Sequence, residues 1–244
     1  MIYRRFLLHF ALLFILSAIA VSQNRGEKQT YTVADKLKLS VAANGVDGTL
    51  QLLVDQRLTE SVRQELWGKG AWSFVFKPDT KLYREFSALP PGKSKLMIRD
   101  NTEKVLANRD LETPLAKLKV WNRISDTNQF FLLIEDYTAG AGSYNGPKAT
   151  LLQITNATFH DVKALNTQSH QEEPIRLVKS LKADWRQENI AEILSVSCYE
   201  NGDGRFVVDY IRYNFDGNRW LEYKRESEGF WESDQPFPLR AAFP

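Results

Sequence analysis

The sequence is poor in the residues that most often carry catalysis, metals or cross-links. Cys198 is the only cysteine, so no disulfide can form within the chain. An apolar run that begins at Ile193 leads into it, which favours a buried thiol on a strand over a nucleophile or an intermolecular disulfide. Apart from His9 near the N-terminus, the histidines are His160 and His170, and their spacing fits neither a metal site nor a catalytic triad. We therefore predict no catalytic residue, no metal and no cofactor.

The chain also lacks a strong excess of one charge. It contains 32 Lys and Arg against 30 Asp and Glu. Arg4 and Arg5 account for the whole difference, and the first twenty residues contain no acid, so the remainder has a formal charge of zero. A protein that binds a phosphate backbone needs a basic surface, and we predict no nucleic-acid partner.

The N-terminal segment differs in composition from everything after it. Arg4 and Arg5 precede an apolar run over residues 6–21, and Ala18 and Ala20 form an A-x-A cleavage pattern. The run has about 16 residues, fewer than the roughly 20 that cross a bilayer as a helix. We predict a signal peptide over 1–20 and export to the periplasm or outside the cell, with no stable membrane anchor once the signal is cleaved. An uncleaved anchor is the alternative.

After residue 30, short apolar runs alternate with turn residues, which is the pattern of strands. The predicted strands are 49–54, 72–76, 95–98, 130–134, 149–154, 193–198, 206–213 and 219–223. Asp216-Gly217-Asn218 is the strongest hairpin signal, because Asp-Gly suits a two-residue turn with positive φ. The pattern predicts a mainly β fold of antiparallel sheets, propeller-like or sandwich, with one or two short helices.

Two segments have helical spacing. Ser61–Trp67 begins with a capping-box pattern, and apolar residues recur in it every four positions. The second begins at Pro174, a residue suited to the first helical turn, and places Leu177, Leu181 and Trp185 on one face. We predict a helix at each place.

A polar stretch over 163–173 is the best candidate for an exposed linker or loop. It divides the chain into a β-rich region over 21–165 and a region over 166–244 that contains the second helix and the C-terminal hairpin. A single domain with a long loop fits the sequence equally well.

Two stretches end or begin a strand with acidic and glycine residues. Phe130–Gly142 reads FFLLIEDYTAGAG and is followed by the strand Ala149–Ile154, while Asn201-Gly202-Asp203-Gly204 precedes Phe206. Both resemble the repeats of secreted bacterial β-propellers of the FG-GAP and VCBS type. The resemblance implies a propeller blade and, in that family, often a calcium loop. Tyr199 stands where the first acidic ligand would be needed, so we predict no metal here.

The loop after Asp136 is the most conspicuous polar segment. Its glycines do not match a dinucleotide fingerprint, and Ser143 lacks the flanking glycines of a nucleophile elbow. A loop that contacts a ligand remains. The predicted ligand-binding residues are Asp136, Tyr137, Ser143, Tyr144 and Asn145.

Tryptophans are frequent for a chain of this length. Exposed aromatic rings bind sugars by stacking, and Trp220, Tyr223, Phe230 and Trp231 are one candidate surface, although burial in a β core is the commoner fate of such residues. We predict an exported, non-catalytic binding or interaction module of the bacterial envelope, with an unknown protein or glycan as its partner. The alternative is a glycan-binding or glycan-hydrolysing protein that uses exposed Trp and carboxylates.

Overall fold

Strands dominate the computed structural model, which describes residues 30–69, 86, 89–125, 128–138, 145–200, 206–232, 235 and 238. The described strands are β1 (Tyr31–Leu39), β2 (Gly48–Asp55), β3 (Lys95–Asp100), β4 (Val105–Asp110), β5 (Ala116–Ser125), β6 (Asn128–Asp136), β7 (Pro147–Thr155), β8 (Thr158–Asp161), β9 (Lys163–Asn166), β10 (Glu172–Pro174), β11 (Arg176–Val178), β12 (Ala183–Asn189), β13 (Glu192–Glu200), β14 (Phe206–Phe215) and β15 (Trp220–Trp231). Two short helices accompany them, α1 (Val41–Asn44) and α2 (Glu60–Leu66). The predicted signal peptide and the predicted strand 72–76 lie outside the described residues.

The strands form three sheets. A four-stranded sheet has the order β1-β2-β3-β4, a five-stranded sheet has the order β11-β7-β6-β5 with β8 also on β7, and a six-stranded sheet has the order β10-β9-β15-β14-β13-β12. Neighbouring strands are antiparallel except for β9 and β15, which the described residues pair in parallel. The predicted mainly β fold of antiparallel, sandwich-like sheets with one or two short helices is confirmed.

The five-stranded sheet has a hydrophobic core on each face. In β6, Phe131 and Leu133 pack into the core shared with the four-stranded sheet. Phe130 and Leu132 pack into the core shared with the six-stranded sheet. Alternate residues of a strand point to opposite faces, so the unbroken apolar run Phe130–Ile134 is what a strand between two cores requires.

A third cluster lies on the other face of the six-stranded sheet. It comprises Leu194, Val196, Cys198, Val208, Tyr210 and Trp231. Cys198 is fully buried in it, as the apolar run before the thiol predicts. Within the part of the chain that the structure describes, no helix is long and apolar enough to span a bilayer.

The helix predicted over 61–67 is confirmed as α2, but its cap differs. The hydroxyl of Thr59, not that of Ser61, accepts the backbone N–H of Val62 at 3.5 Å. The helix buries Leu66 in a small cluster with Leu58, Phe86 and Leu115.

The helix predicted from Pro174 is wrong. The segment forms β10, β11 and β12, and Leu181, which shares the helical spacing, is 78% exposed. Leu177 is buried because β11 pairs with β7, where Leu177 lies opposite Ala149. Partners distant in sequence therefore decided the conformation, since apolar residues four apart also fit short strands joined by a bend.

The linker or loop predicted over 163–173 is a hairpin. β9 and β10 pair across a turn at 167–171, and β9 also pairs with β15. Both predicted regions, 21–165 and 166–244, thus contribute strands to one sheet.

The predicted hairpin at Asp216-Gly217-Asn218 is confirmed. Gly217 has φ 101°, and the N–H of Asp216 donates to the carbonyl oxygen of Arg219 at 3.1 Å. Phe215 and Trp220 pair directly behind the turn. This tight turn fixes the register of β14 and β15 and therefore the order of side chains on their two faces.

Candidate functional site

The residues predicted to bind a ligand lie around the loop between β6 and β7. Asp136 ends β6, Tyr137 follows it, and Asn145 is exposed two residues before β7. Ser143 and Tyr144 lie outside the described residues, as does the turn Asn201–Gly204. The described part of this site is therefore the base of the loop.

Asp136 is fully buried and binds backbone. Its Oδ2 accepts the N–H of Gly68 at 2.7 Å, and its Oδ1 accepts the N–H of Thr138 at 3.0 Å. Its own N–H donates to the carbonyl oxygen of Leu115 at 2.9 Å. The carboxylate thus joins the residue after α2 to the chain that leaves β6.

Tyr137 belongs to a polar cluster at the edge of the core between the four- and five-stranded sheets. Burial, and next the charge of Glu135, raises the pKa of Tyr137 to about 12. Burial also raises the pKa of Glu135, although its carboxylate accepts the N–H of Glu112 at 2.9 Å. The Lys148 ammonium lies 4.5 Å from the centre of the Tyr137 ring. At neutral pH the phenol keeps its proton and serves as a hydrogen-bond donor, not as a base.

An ion pair closes the same edge. Arg109 of β4 contacts Asp161 of β8, with Nη1 and Oδ1 2.6 Å apart. The contact joins the edge of the four-stranded sheet to the β7–β8 hairpin. Its role in the described structure is to hold two sheets together.

A cavity of about 510 Å³ lies on the six-stranded sheet, away from the predicted loop. We call it the β14–β15 cavity. Its described lining consists of Thr167, Gln168, Arg212, Asn214, Tyr223, Lys224 and Arg225. None of these residues carries a carboxylate. The lining combines cationic groups, amides, a hydroxyl and an aromatic ring.

Strand register places the main groups of the cavity on one face. Arg212 lies directly opposite Tyr223, and Arg225 lies opposite Tyr210. Because alternate residues share a face, Arg212, Asn214, Tyr223 and Arg225 point to the same side.

Tyr223 is 39% exposed, and its ring is therefore accessible.

Two neighbouring charges are accounted for by partners. Glu192 lies 3.0 Å from Nε of Arg212, measured from its Oε1, and so orients that guanidinium. Lys224 belongs to the opposite face by strand alternation, and its ammonium contacts Asp209 at 3.2 Å. The cations directed to the cavity face are those of Arg212 and Arg225.

The wall of the cavity is the turn between β9 and β10. The N–H and the hydroxyl of Thr167 both donate to the carbonyl oxygen of Glu222, at 3.0 and 2.9 Å. Nδ2 of Asn166 donates to Oε1 of Glu222 at 2.8 Å. These bonds hold Thr167 and Gln168 against β15, so the wall is fixed to the sheet that forms the floor.

The described tryptophans are less accessible than Tyr223. Trp121, Trp220 and Trp231 are buried. Trp67 and Trp185 are half-buried, with lysine ammonium groups 3.9 and 5.5 Å from their ring centres. In the candidate aromatic surface at the C-terminal hairpin, Tyr223 is thus the accessible ring and Trp220 belongs to the core.

The sequence contained a signal for the other cavity residues that the predictions missed. Arg212 and Asn214 are two apart in β14, as are Tyr223 and Arg225 in β15. This spacing puts each pair on one face of its strand. The register that brings both pairs together follows from the hairpin turn.

Comparison of the chain with protein-family models, curated proteins and solved structures finds no match. The resemblance to FG-GAP and VCBS-type repeats stays a prediction. In the described part of the chain, no three His, Cys, Asp or Glu side chains are grouped so that they could hold a metal.

Proposed function

We propose that the protein is an exported, non-catalytic binding module of the bacterial envelope, and that its ligand occupies the β14–β15 cavity. The observation that carries this proposal is the convergence of Arg212, Asn214, Tyr223 and Arg225 on one accessible face beside a fixed turn. The volume of about 510 Å³ falls in the range of small-molecule sites, which is about 300–1,000 Å³.

The site is well suited to binding because its groups start from rigid elements. Four of them project from paired strands, and the wall is tied to β15 through Glu222. Groups already held in place lose little conformational entropy when a ligand arrives, so more of the contact energy is retained as affinity.

The chemistry of the described lining favours binding over turnover. Guanidinium, amide, hydroxyl and phenol groups donate hydrogen bonds and neutralise negative charge. None of them has an ordinary pKa near 7, where a general acid or base works best. A glycan hydrolase of the usual kind needs two carboxylic acids flanking the bond that breaks, and the described lining offers no acid.

A glycan is the favoured ligand class among those open to a binding module. Tyr223 presents an accessible ring for stacking, and Asn214 and Gln168 can donate to and accept from sugar hydroxyls. This transfers the predicted role of exposed aromatic residues from the tryptophans to Tyr223.

The export part of the proposal rests on the N-terminal composition. Expression of the full chain in a bacterium, followed by fractionation and intact-mass measurement, tests it. We expect the protein outside the cytoplasm with a new N-terminus at Val21. Full-length protein in the cytoplasm would contradict export.

Ligand binding is tested by thermal unfolding of the purified protein with a library of neutral and acidic oligosaccharides, dicarboxylates and short peptides. We expect at least one compound to raise the Tm, and the shift to disappear in Tyr223→Ala. Tyr199→Ala is the matched control, because Tyr199 is 37% exposed and points to the other face of the same sheet.

A library in which nothing raises the Tm, or a shift that survives in Tyr223→Ala, would contradict binding at this cavity. Chromatography of each stabilising compound after overnight incubation tests the absence of catalysis. Breakdown that is lost in Tyr223→Ala would make the protein an enzyme.

A further inference from the structure

We infer that the ligand of the β14–β15 cavity is a short acidic saccharide, whose carboxylate is bound by Arg212 and Arg225 while a sugar ring stacks on Tyr223. This inference rests on the proposed binding function and specifies its ligand. It follows from three properties of the cavity: its charge, its aromatic floor and its mixed hydrogen-bonding rim.

The charge of the cavity face is positive. Arg212 and Arg225 each bring one positive charge to this face, and Glu192 at 3.0 Å from Arg212 brings one negative charge. Lys224 is matched by Asp209 on the opposite face. One positive charge remains in excess, which suits a ligand with a single anionic group. Arginine is the residue best shaped for a carboxylate, because its planar fork can donate two parallel hydrogen bonds.

The aromatic ring lies between the two cations. Tyr223 faces Arg212 across the strand pair and is two residues from Arg225 along β15. A ligand that stacks on Tyr223 therefore has guanidinium groups on two sides of the ring. A sugar acid has both an apolar C–H face and a carboxylate within one ring unit, and so it matches this spacing.

The rim favours a sugar over a simple anion. Asn214 and Gln168 carry amide oxygens as well as amide N–H groups, and the Thr167 oxygen can accept although its proton is given to Glu222. Sugar hydroxyls both donate and accept, so they use such groups fully. Inorganic phosphate or acetate would leave the acceptors and the ring without partners.

Isothermal titration calorimetry with three acidic trisaccharides tests the inference. The probes are the trimers of galacturonic, mannuronic and guluronic acid and, as uncharged controls of the same shape, their methyl esters. We expect at least one acid to bind, its methyl ester to bind at least about tenfold more weakly, and the affinity to fall as NaCl is raised. Arg225→Gln and Arg212→Gln should each weaken binding of the acid by about tenfold or more.

Arg219→Gln is the control variant, because Arg219 lies on the same hairpin with a side chain that is 56% exposed and contacts Asp216. It should bind as the unaltered protein does. Arg212→Gln also removes the contact with Glu192, so the Tm of each variant is measured, and Arg225→Gln decides the matter if Arg212→Gln does not fold.

The outcomes separate the two proposals. If the esters bind as tightly as the acids, recognition of the carboxylate is wrong and the binding module stands. If no acid binds at about 10 mM while another library compound raises the Tm through Tyr223, the acidic saccharide is wrong and the binding module again stands. If neither experiment detects binding, both proposals fail.

Discussion

Replacement of Asp136 by alanine should destabilise the protein rather than abolish ligand capture. The carboxylate is fully buried and accepts the backbone N–H groups of Gly68 and Thr138 at 2.7 and 3.0 Å. A donor left without its partner in a buried place costs about 1–3 kcal/mol. Gly68 is exposed and can be rehydrated, so we expect a total loss of about 2–3 kcal/mol.

Asp136→Asn should lie between the two. The amide presents an oxygen to one backbone N–H but an NH₂ group to the other, so one hydrogen bond is lost and a loss of about 1–2 kcal/mol is expected. Asp110→Ala is the matched control, because its side chain is 71% exposed and contacts only Lys95 among the printed ion pairs, at 3.3 Å. An exposed pair of this kind contributes about 0–1 kcal/mol.

Urea unfolding followed by tryptophan fluorescence measures the series. The midpoint should fall in the order Asp110→Ala, Asp136→Asn, Asp136→Ala, with an unchanged slope if the native fold is kept. An Asp136→Ala variant as stable as the control would refute the structural role. Lost binding of a stabilising oligosaccharide at unchanged stability would instead return Asp136 to the ligand site that the sequence predicted.

Three further changes probe buried groups elsewhere. Burial raises the pKa of Glu135 above its ordinary 4.5, so its part of the stability is lost as pH rises from about 4.5 through the folded-state pKa, and Glu135→Gln should gain more stability at pH 7 than at pH 4. Gly146→Ala would place a Cβ 1.7 Å from the Lys179 oxygen and should cost more than about 3 kcal/mol, whereas Gly217→Ala, at φ 101° with no neighbour within 4 Å, should cost about 1–2 kcal/mol. Burial raises the pKa of Cys198 to about 11, so the native thiol should resist a disulfide reagent at pH 8 and react once the protein is unfolded.

Each of these has a plain contrary result. Parallel pH–stability curves for the unaltered protein and Glu135→Gln would show that the carboxyl does not contribute to the pH dependence. Equal losses for the two glycine variants would remove the close backbone approach at Gly146. Rapid labelling of native Cys198 would mean that the thiol is accessible.

The parts of the fold that were predictable are those set by neighbouring residues. The turn at Asp216-Gly217-Asn218 needs a positive φ that glycine supplies, and the β14–β15 hairpin follows from it. The unbroken apolar run in β6 has its own cause in two cores, and the run into Cys198 indicated a buried strand.

The segment after Pro174 was not predictable in this way. Its three short strands owe their conformation to partners elsewhere: β10 to β9, β11 to β7 and β12 to β13. No local spacing records such partners, and a helix satisfied the apolar pattern equally well.

The candidate site divides along the same line. The sequence identified Tyr223 as part of an aromatic surface and Asp136 as a conspicuous acid, since both are visible as residue types. Whether each is exposed depends on strand register and on the approach of α2. Arg212 and Arg225, thirteen positions apart in numbering, come together only through the pairing of β14 with β15.

The place of β15 in the six-stranded sheet has a consequence for the order of folding. β15 lies between β14 and β9, antiparallel to the first and parallel to the second, at Trp220 opposite Ala164. The β9–β10 hairpin emerges from the ribosome more than fifty residues before the strand it joins. Until β15 is inserted, β9 lacks that partner and the turn that walls the β14–β15 cavity has nothing to hold it. Such long-range pairing is slow to form, and ligand binding would then report that the last step of assembly is complete.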